Sequence, residues 1–145
     1  MRHLLSKLLF LLVFTGAAFA TQARAAEVSA AQAKQMQAVI QAQLDAFAAD
    51  DAKRAFSFAA QKVRDVFGTP DRFIAMVRTG YPVVYRPAAV AFFKPQWLDG
   101  AFIQRVQLTA DDGGVWLATY QLERQRDRSW RIAGCEVVPS EGRVA

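Results

Sequence analysis

Tyr81, Tyr85 and Arg86 are the polar side chains whose types and spacing come nearest to chemistry in this chain. They lie in Gly80-Tyr81-Pro82-Val83-Val84-Tyr85-Arg86-Pro87, where a helical stretch gives way to the first strand. A phenolic hydroxyl beside a guanidinium can donate to a carboxylate or an enolate oxygen. The plainer use of the same residues is a tight corner, in which Arg86 satisfies a carboxylate or main-chain carbonyls. Trp97, Trp116, Tyr120 and Trp130 form the second group. Such aromatics can line an apolar ligand pocket with a few polar contacts, and at strand spacing they also serve simply as core.

The carboxylates invite a search for a general base. Asp50-Asp51 and Asp111-Asp112 are pairs, but both fall at cap or turn positions, where a short carboxylate accepts free main-chain N–H groups. Asp65, between Arg64 and Arg72, qualifies as a base only if buried, and Lys94 as a Schiff-base lysine only if desolvated. The basic run Arg124-Gln125-Arg126-Asp127-Arg128 reads as a solvated hairpin tip.

Met1 to Lys7 is a basic segment and Leu8 to Ala20 an apolar one, shorter than the ~20 residues a spanning helix needs and of the size of a secretory signal. Of the sites Ala18-Phe19-Ala20 and Ala23-Arg24-Ala25, the second is favoured for cleavage, so residues 1–25 are expected to be a signal peptide and 26–145 one exported domain with its core in 29–138. Stable membrane insertion after cleavage is not expected. Removing Arg2, Lys7 and Arg24 takes three of the 18 basic residues and leaves 15 against 13 acidic ones, a net +2 that is no footprint for nucleic acid. His3, the one histidine, leaves with the signal, and Cys135 is the one cysteine. The mature chain therefore has no intrachain disulfide, no Ser-His-Asp or Cys-His catalysis and no zinc site on His or Cys clusters. No cofactor and no metal are expected. Cys135, within an apolar strand, is expected to be a small core residue.

The elements that must position these groups follow from period and punctuation. Ser29 and Gln32 make a capping box for a helix through Ala49, with Met36, Val39, Ile40, Leu44 and Phe47 on its apolar stripe. Asp50 or Asp51 caps a second helix over 52–59. Gln61–Phe67 is a third, stopped by Gly68, and Thr69-Pro70 opens a fourth that ends at Gly80. Pro82 and Pro87 predict a break without helix or central strand. A short strand over 88–94, a turn over 95–100, and strands over 101–109, 115–124 and 130–138 complete the chain. On the last three, apolar residues are expected on the covered side, with Gln104, Arg105, Gln107, Thr119, Gln121 and Glu123 opposite. Helices followed by antiparallel strands predict an α+β fold, with the N-terminal helices packed on one face of a curved antiparallel sheet as a cone-shaped roll.

Four segments carry a family resemblance: Ala46-Phe47-Ala48-Ala49-Asp50-Asp51, Phe67-Gly68-Thr69-Pro70-Asp71-Arg72-Phe73, the Tyr81–Pro87 segment, and Trp130-Arg131-Ile132-Ala133-Gly134-Cys135. Together they resemble a bacterial domain-of-unknown-function family, number 4864, which is similar to the nuclear-transport-factor-two-like (cystatin-like) superfamily. The resemblance implies a cone of helices on a curved sheet, often dimeric through the sheet. It implies no single activity. Enzymes of that superfamily use an Asp-His pair or an Asp base with a Tyr donor, and no position here matches the base.

The expectation is a non-catalytic module that binds an unknown small molecule or protein, with a possible homodimer and Tyr81, Tyr85, Arg86, Trp97, Trp116 and Tyr120 as pocket candidates. The alternative is a lyase or isomerase that abstracts a proton in the cone with an Asp base and Tyr or Arg as oxyanion donors. A third reading is a partner protein with a filled cone and an apolar patch on its sheet.

Overall fold

In the computed structural model, residues 27–140 are described; the expected signal peptide lies outside them. Five helices precede the main sheet: α1 (Ala30–Ala48), α2 (Ala52–Ser57), α3 (Gln61–Phe67), α4 (Pro70–Gly80) and α5 (Pro82–Tyr85). The strands are β1 (Ala89–Phe92), β2 (Gln96–Leu98), β3 (Ala101–Thr109), β4 (Val115–Arg124) and β5 (Trp130–Pro139). All pairings between them are antiparallel, in the order β1-β3-β4-β5, with β2 beside β1 on the same edge of β3. The helices pack against this sheet, which is not closed, so the fold is α+β.

Local chemistry accounts for the helix boundaries. Ser29 Oγ accepts from Gln32 N at 3.1 Å and Gln32 Oε1 accepts from Ser29 N at 3.1 Å, a reciprocal box that satisfies two free donors of α1. Asp51 caps α2 and Thr69 caps α4, each accepting from the main-chain N–H three residues on. Gly68, at φ 77°, ends α3 in a conformation that a Cβ would disfavour.

Two segments depart from expectation. The Pro82–Pro87 segment holds a helical turn, because Pro82 sits at the first helical position, where its missing N–H interrupts nothing. The expected turn at 95–100 contains strand β2. Asp99 and Gly100, at φ 50° and 78°, form the two-residue connection that lets Leu98 pair with Ala101. Asp-Gly is a residue pair that favours such primed turns.

The covered face of the sheet takes alternate residues: Phe102, Gln104, Val106 and Leu108 on β3, opposite Leu122, Tyr120, Ala118 and Trp116 on β4. On β5 the alternation changes phase. Gln121 pairs with Gly134 but Leu122 pairs with Ile132, so Ala133 is an extra residue, a β-bulge. Trp130 and Ile132 before it, and Cys135 and Val137 after it, are thereby all brought to the covered side.

α1 crosses this face. Gln35 accepts from the Trp130 indole N–H on β5 at 3.0 Å, and Gln37 donates to Gln104 on β3 at 3.3 Å. Met36, Ile40, Leu44 and Phe47 are buried below it. Trp130 stands edge-on to Phe102, with ring centroids 4.8 Å apart, and Phe102 contacts Trp97 at 4.4 Å.

Gln104 does not join the polar outer face. It is fully buried, and its Nε2 donates to the carbonyls of Phe93 and Arg105 at 2.6 and 2.8 Å, where β1 has ended and β2 has not begun. The side-chain amide thus satisfies the Phe93 carbonyl beyond the end of β1 and adds to the Arg105 carbonyl, which also accepts from the Phe93 N–H. Gln104→Met keeps the volume and removes both donors. It is expected to lower unfolding stability by about 1–3 kcal/mol, measured by urea denaturation, with no change in m-value.

Candidate functional site

At the β5 side of the interface the helices do not fill the space they cover. A cavity of about 270 Å³ remains between α1, α3, α4 and α5 on one side and β4 and β5 on the other. Its volume is at the lower end of the ~300–1,000 Å³ typical of ligand sites. The helix side is formed by residues spaced for one face: Gln43 and Phe47 on α1, Val63 and Phe67 on α3, Phe73 and Val77 on α4. Phe73 is the hub of this wall, with ring centroids 5.7 Å from Phe47, 5.5 Å from Phe56 and 5.4 Å from Phe67. The sheet side is Tyr120, Ile132, Gly134, Cys135 and Val137.

Few polar groups face the cavity. Gln43 is buried, and its Nε2 is committed to the carbonyl of Ala55 at 3.1 Å. Tyr81, at the mouth, is 40% exposed. Tyr120 is 1% exposed, and among the described residues its hydroxyl meets no oxygen or nitrogen partner, only the weakly accepting Cys135 thiol. Burial is the main reason that this phenol titrates well above its ordinary value, with the neighbouring Cys135 adding to the shift. Tyr120 is therefore neutral and a donor at any physiological pH.

Cys135 is the cross-strand neighbour of Tyr120. It is exposed rather than part of the core, because the bulge at Ala133 turns it into the open cavity. Protein nonetheless surrounds the sulfur closely enough that desolvation pushes the thiol pKa up to about 12, against a smaller lowering influence from Tyr120. Its thiol is accessible yet protonated, the opposite of an activated nucleophile.

Of the six candidates from the sequence, the fold brings Tyr81 and Tyr120 to the cavity and leaves four outside it. Trp97 and Trp116 lie on β2 and β4, away from the opening, and Trp97 is 37% exposed. Tyr85 and Arg86 belong to a surface cluster around Asp50. The Tyr85 hydroxyl donates to Asp50 Oδ1, and Arg78 and Arg86 reach its two oxygens at 3.2 Å each. Both guanidiniums lie over the Tyr85 ring, 5.2 and 4.9 Å from its centroid. Asp50 is held at φ 56°, a left-handed conformation that Asp tolerates better than most residues. Since these charges are about half exposed, each pair contributes no more than ~1 kcal/mol. This is the corner foreseen for Arg86, with Asp50 as its carboxylate.

The remaining candidates separate in the same way. Asp65 is exposed on α3 and accepts from Gln61 at 2.7 Å, so it lacks the burial that a base required. Lys94 is exposed, and Asp112 accepts the Gly114 N–H within its turn. Sequence reasoning missed Gln43 and the cavity role of Cys135. The i, i+4 spacing of Gln43 and Phe47 was a usable signal for the first, whereas a bulge leaves no comparable signal. Among the described residues, no group of three or more His, Cys, Asp or Glu could hold a metal, and no helix is long and apolar enough to cross a membrane.

Fold and site together define an α+β protein with a small apolar cavity between its helices and its sheet. Residues 29–145 match the family described as Domain of unknown function (DUF4864), and the chain belongs to that family. No curated protein and no solved structure matches the chain.

The raised Cys135 pKa has a definite sign. Stability from the protonated thiol is fully present below about pH 9 and is lost as pH rises toward about 12. Alkylation by iodoacetamide at pH 8 is expected to be on the order of a hundredfold slower in the folded protein than in urea. The folded rate should still be rising between pH 10 and 11, where an ordinary thiol has levelled off.

Proposed function

We propose that this protein is an exported, non-catalytic binding module of the nuclear-transport-factor-two-like type, which holds a small, largely apolar molecule in the cavity between its helices and its sheet. The observation that carries the reading is the buried Tyr120 hydroxyl, without an oxygen or nitrogen partner and beside only the weakly accepting Cys135 thiol, on the wall of a largely apolar cavity. A buried donor left unpaired costs about 1–3 kcal/mol, which a ligand acceptor would recover. Helices on one side of an antiparallel sheet, with a hollow between them, support the superfamily assignment. The basic Met1–Lys7 and apolar Leu8–Ala20 segments support export. Proton abstraction in the cavity is the weaker reading, because no carboxylate is among the residues that line it.

Homodimerisation through the outer sheet face accompanies this reading. By strand alternation Phe93, Leu98 and Val138 face outward there, 48, 47 and 41% exposed. Light scattering on the chain without residues 1–25 is expected to give twice the monomer mass, and Val138→Glu a single monomer mass. A wild-type monomer at micromolar concentration would rule the dimer out.

The cavity reading is tested by nuclear magnetic resonance titration with ethylbenzene and acetophenone. Shifts are expected at Tyr120, Ile132, Cys135 and Val137 in the wild type. They should be absent in Cys135→Phe, whose ring fills the cavity from the sheet side while the fold and its melting temperature are kept. If neither compound shifts these residues, the proposal is wrong.

A further inference from the structure

Resting on the cavity reading above, we infer that the ligand is electrically neutral and presents one hydrogen-bond acceptor, a carbonyl or ether-like oxygen, to the Tyr120 hydroxyl, with the rest of it apolar.

The cavity wall is uncharged. None of the residues that line it is charged: no Asp, Glu, Lys or Arg is among them. An ionised ligand moved there from water would find no counter-charge, and an unpaired ion in an apolar site is far more costly than an unpaired amide or hydroxyl. The nearest guanidiniums offer no remedy. Arg78 and Arg86 lie outside the cavity, already engaged with Asp50 and stacked on Tyr85. A carboxylate or phosphate ligand is therefore disfavoured by the site itself.

The polarity of the complementary group follows from the donors and acceptors that remain. Gln43, buried on the helix side, gives one amide N–H to the Ala55 carbonyl, and Tyr81 stands at the solvent-exposed mouth. Cys135 stays protonated and offers only a weak S–H donor. Tyr120 is the strong donor on the sheet wall: its hydroxyl is buried, held neutral and meets only the weakly accepting Cys135 thiol, so it has a proton to give to a better acceptor. Cys135 and Gln104 are its neighbours across β5 and β3, and the Gln104 amide is spent on the carbonyls of Phe93 and Arg105. A ligand acceptor beside Cys135 would thus meet one O–H donor. The Phe47, Phe67 and Phe73 side chains opposite are suited to a ring or a short branched chain.

Three probes of similar shape separate the possibilities: acetophenone, neutral with an acceptor; ethylbenzene, neutral without one; and benzoate, charged. Dissociation constants are read from resonance titrations of the chain without residues 1–25, for the wild type and Tyr120→Phe. Acetophenone is expected to bind the wild type at least tenfold more tightly than benzoate. It should lose about fivefold to tenfold in Tyr120→Phe, while ethylbenzene binds both proteins equally. The carbonyl stretch of bound acetophenone should also move to lower frequency in the wild type, a reading that needs no variant and decides the matter if Tyr120→Phe does not fold. Benzoate binding as tightly as acetophenone, or an unshifted carbonyl stretch, overturns this inference. In both cases ethylbenzene binding leaves the cavity reading standing. Failure of all three probes removes the cavity reading and this one together.

Discussion

The main chain of the helix layer is bridged to the sheet at one residue step of β5, and the arrangement of the cavity depends on it. Ile132 donates its N–H to the Phe58 carbonyl and accepts from the Ala60 N–H, both at 2.8 Å, so the link between α2 and α3 lies along the sheet edge as a short parallel bridge. The next residue, Ala133, is the bulge. The bridge covers main-chain groups of an edge strand that would otherwise be open to another chain, and it fixes where α3 stands. The bulge reverses which residues face that helix. Without the extra residue, Cys135 and Val137 would point to the outer face and the cavity would lose half of its sheet wall.

The covered face of the sheet is consequently divided. At one end Trp97, Phe102 and Trp130 stack in sequence, and the Trp130 indole is tied to Gln35 of α1, so that end is filled. At the other, Phe73 gathers three phenylalanines onto the helix side but leaves the strand side open to Tyr120 and Cys135. The two buried polar residues on neighbouring strands have opposite fates. Gln104 has every donor engaged because the gap between β1 and β2 supplies carbonyls. Tyr120, directly across from it, meets no oxygen or nitrogen acceptor, only the Cys135 thiol. A fold satisfies nearly all its buried polar groups; of the two exceptions among the described residues, Arg64 Nε and the Tyr120 hydroxyl, only the second is on a residue that lines the cavity, and it marks the place where function is most economically sought.

Charge is kept out of that place. Asp50 pairs with both Arg78 and Arg86 on the outside of the α4–α5 corner, and both guanidiniums lie over the Tyr85 ring. The cluster orders the corner through several individually weak contacts in a high-dielectric setting. The cavity a short distance away is lined by neutral groups only, so both the phenol and the thiol are held in their protonated forms by burial.

Elements and caps were legible in the chain because they depend on neighbours in sequence. Ser29-Gln32, Asp51 and Thr69-Pro70 define helix starts through contacts three residues away, and the period-two pattern of β3 and β4 specifies which side is covered. Even the Asp99-Gly100 hairpin had its mark, a residue pair suited to positive φ. What only the tertiary structure decided are the relations between distant segments. Gln104, inside by its parity with Phe102 and Val106, finds the Phe93 carbonyl where β1 has ended, Tyr85 meets Asp50 across 35 residues, and Cys135 faces the cavity because a single alanine was added upstream of it. A bulge changes the phase of a strand without changing its composition, and a cavity is the volume that separate elements leave unfilled. Neither quantity is a property of any local stretch of residues, and so the site became visible only once helix and strand were brought face to face.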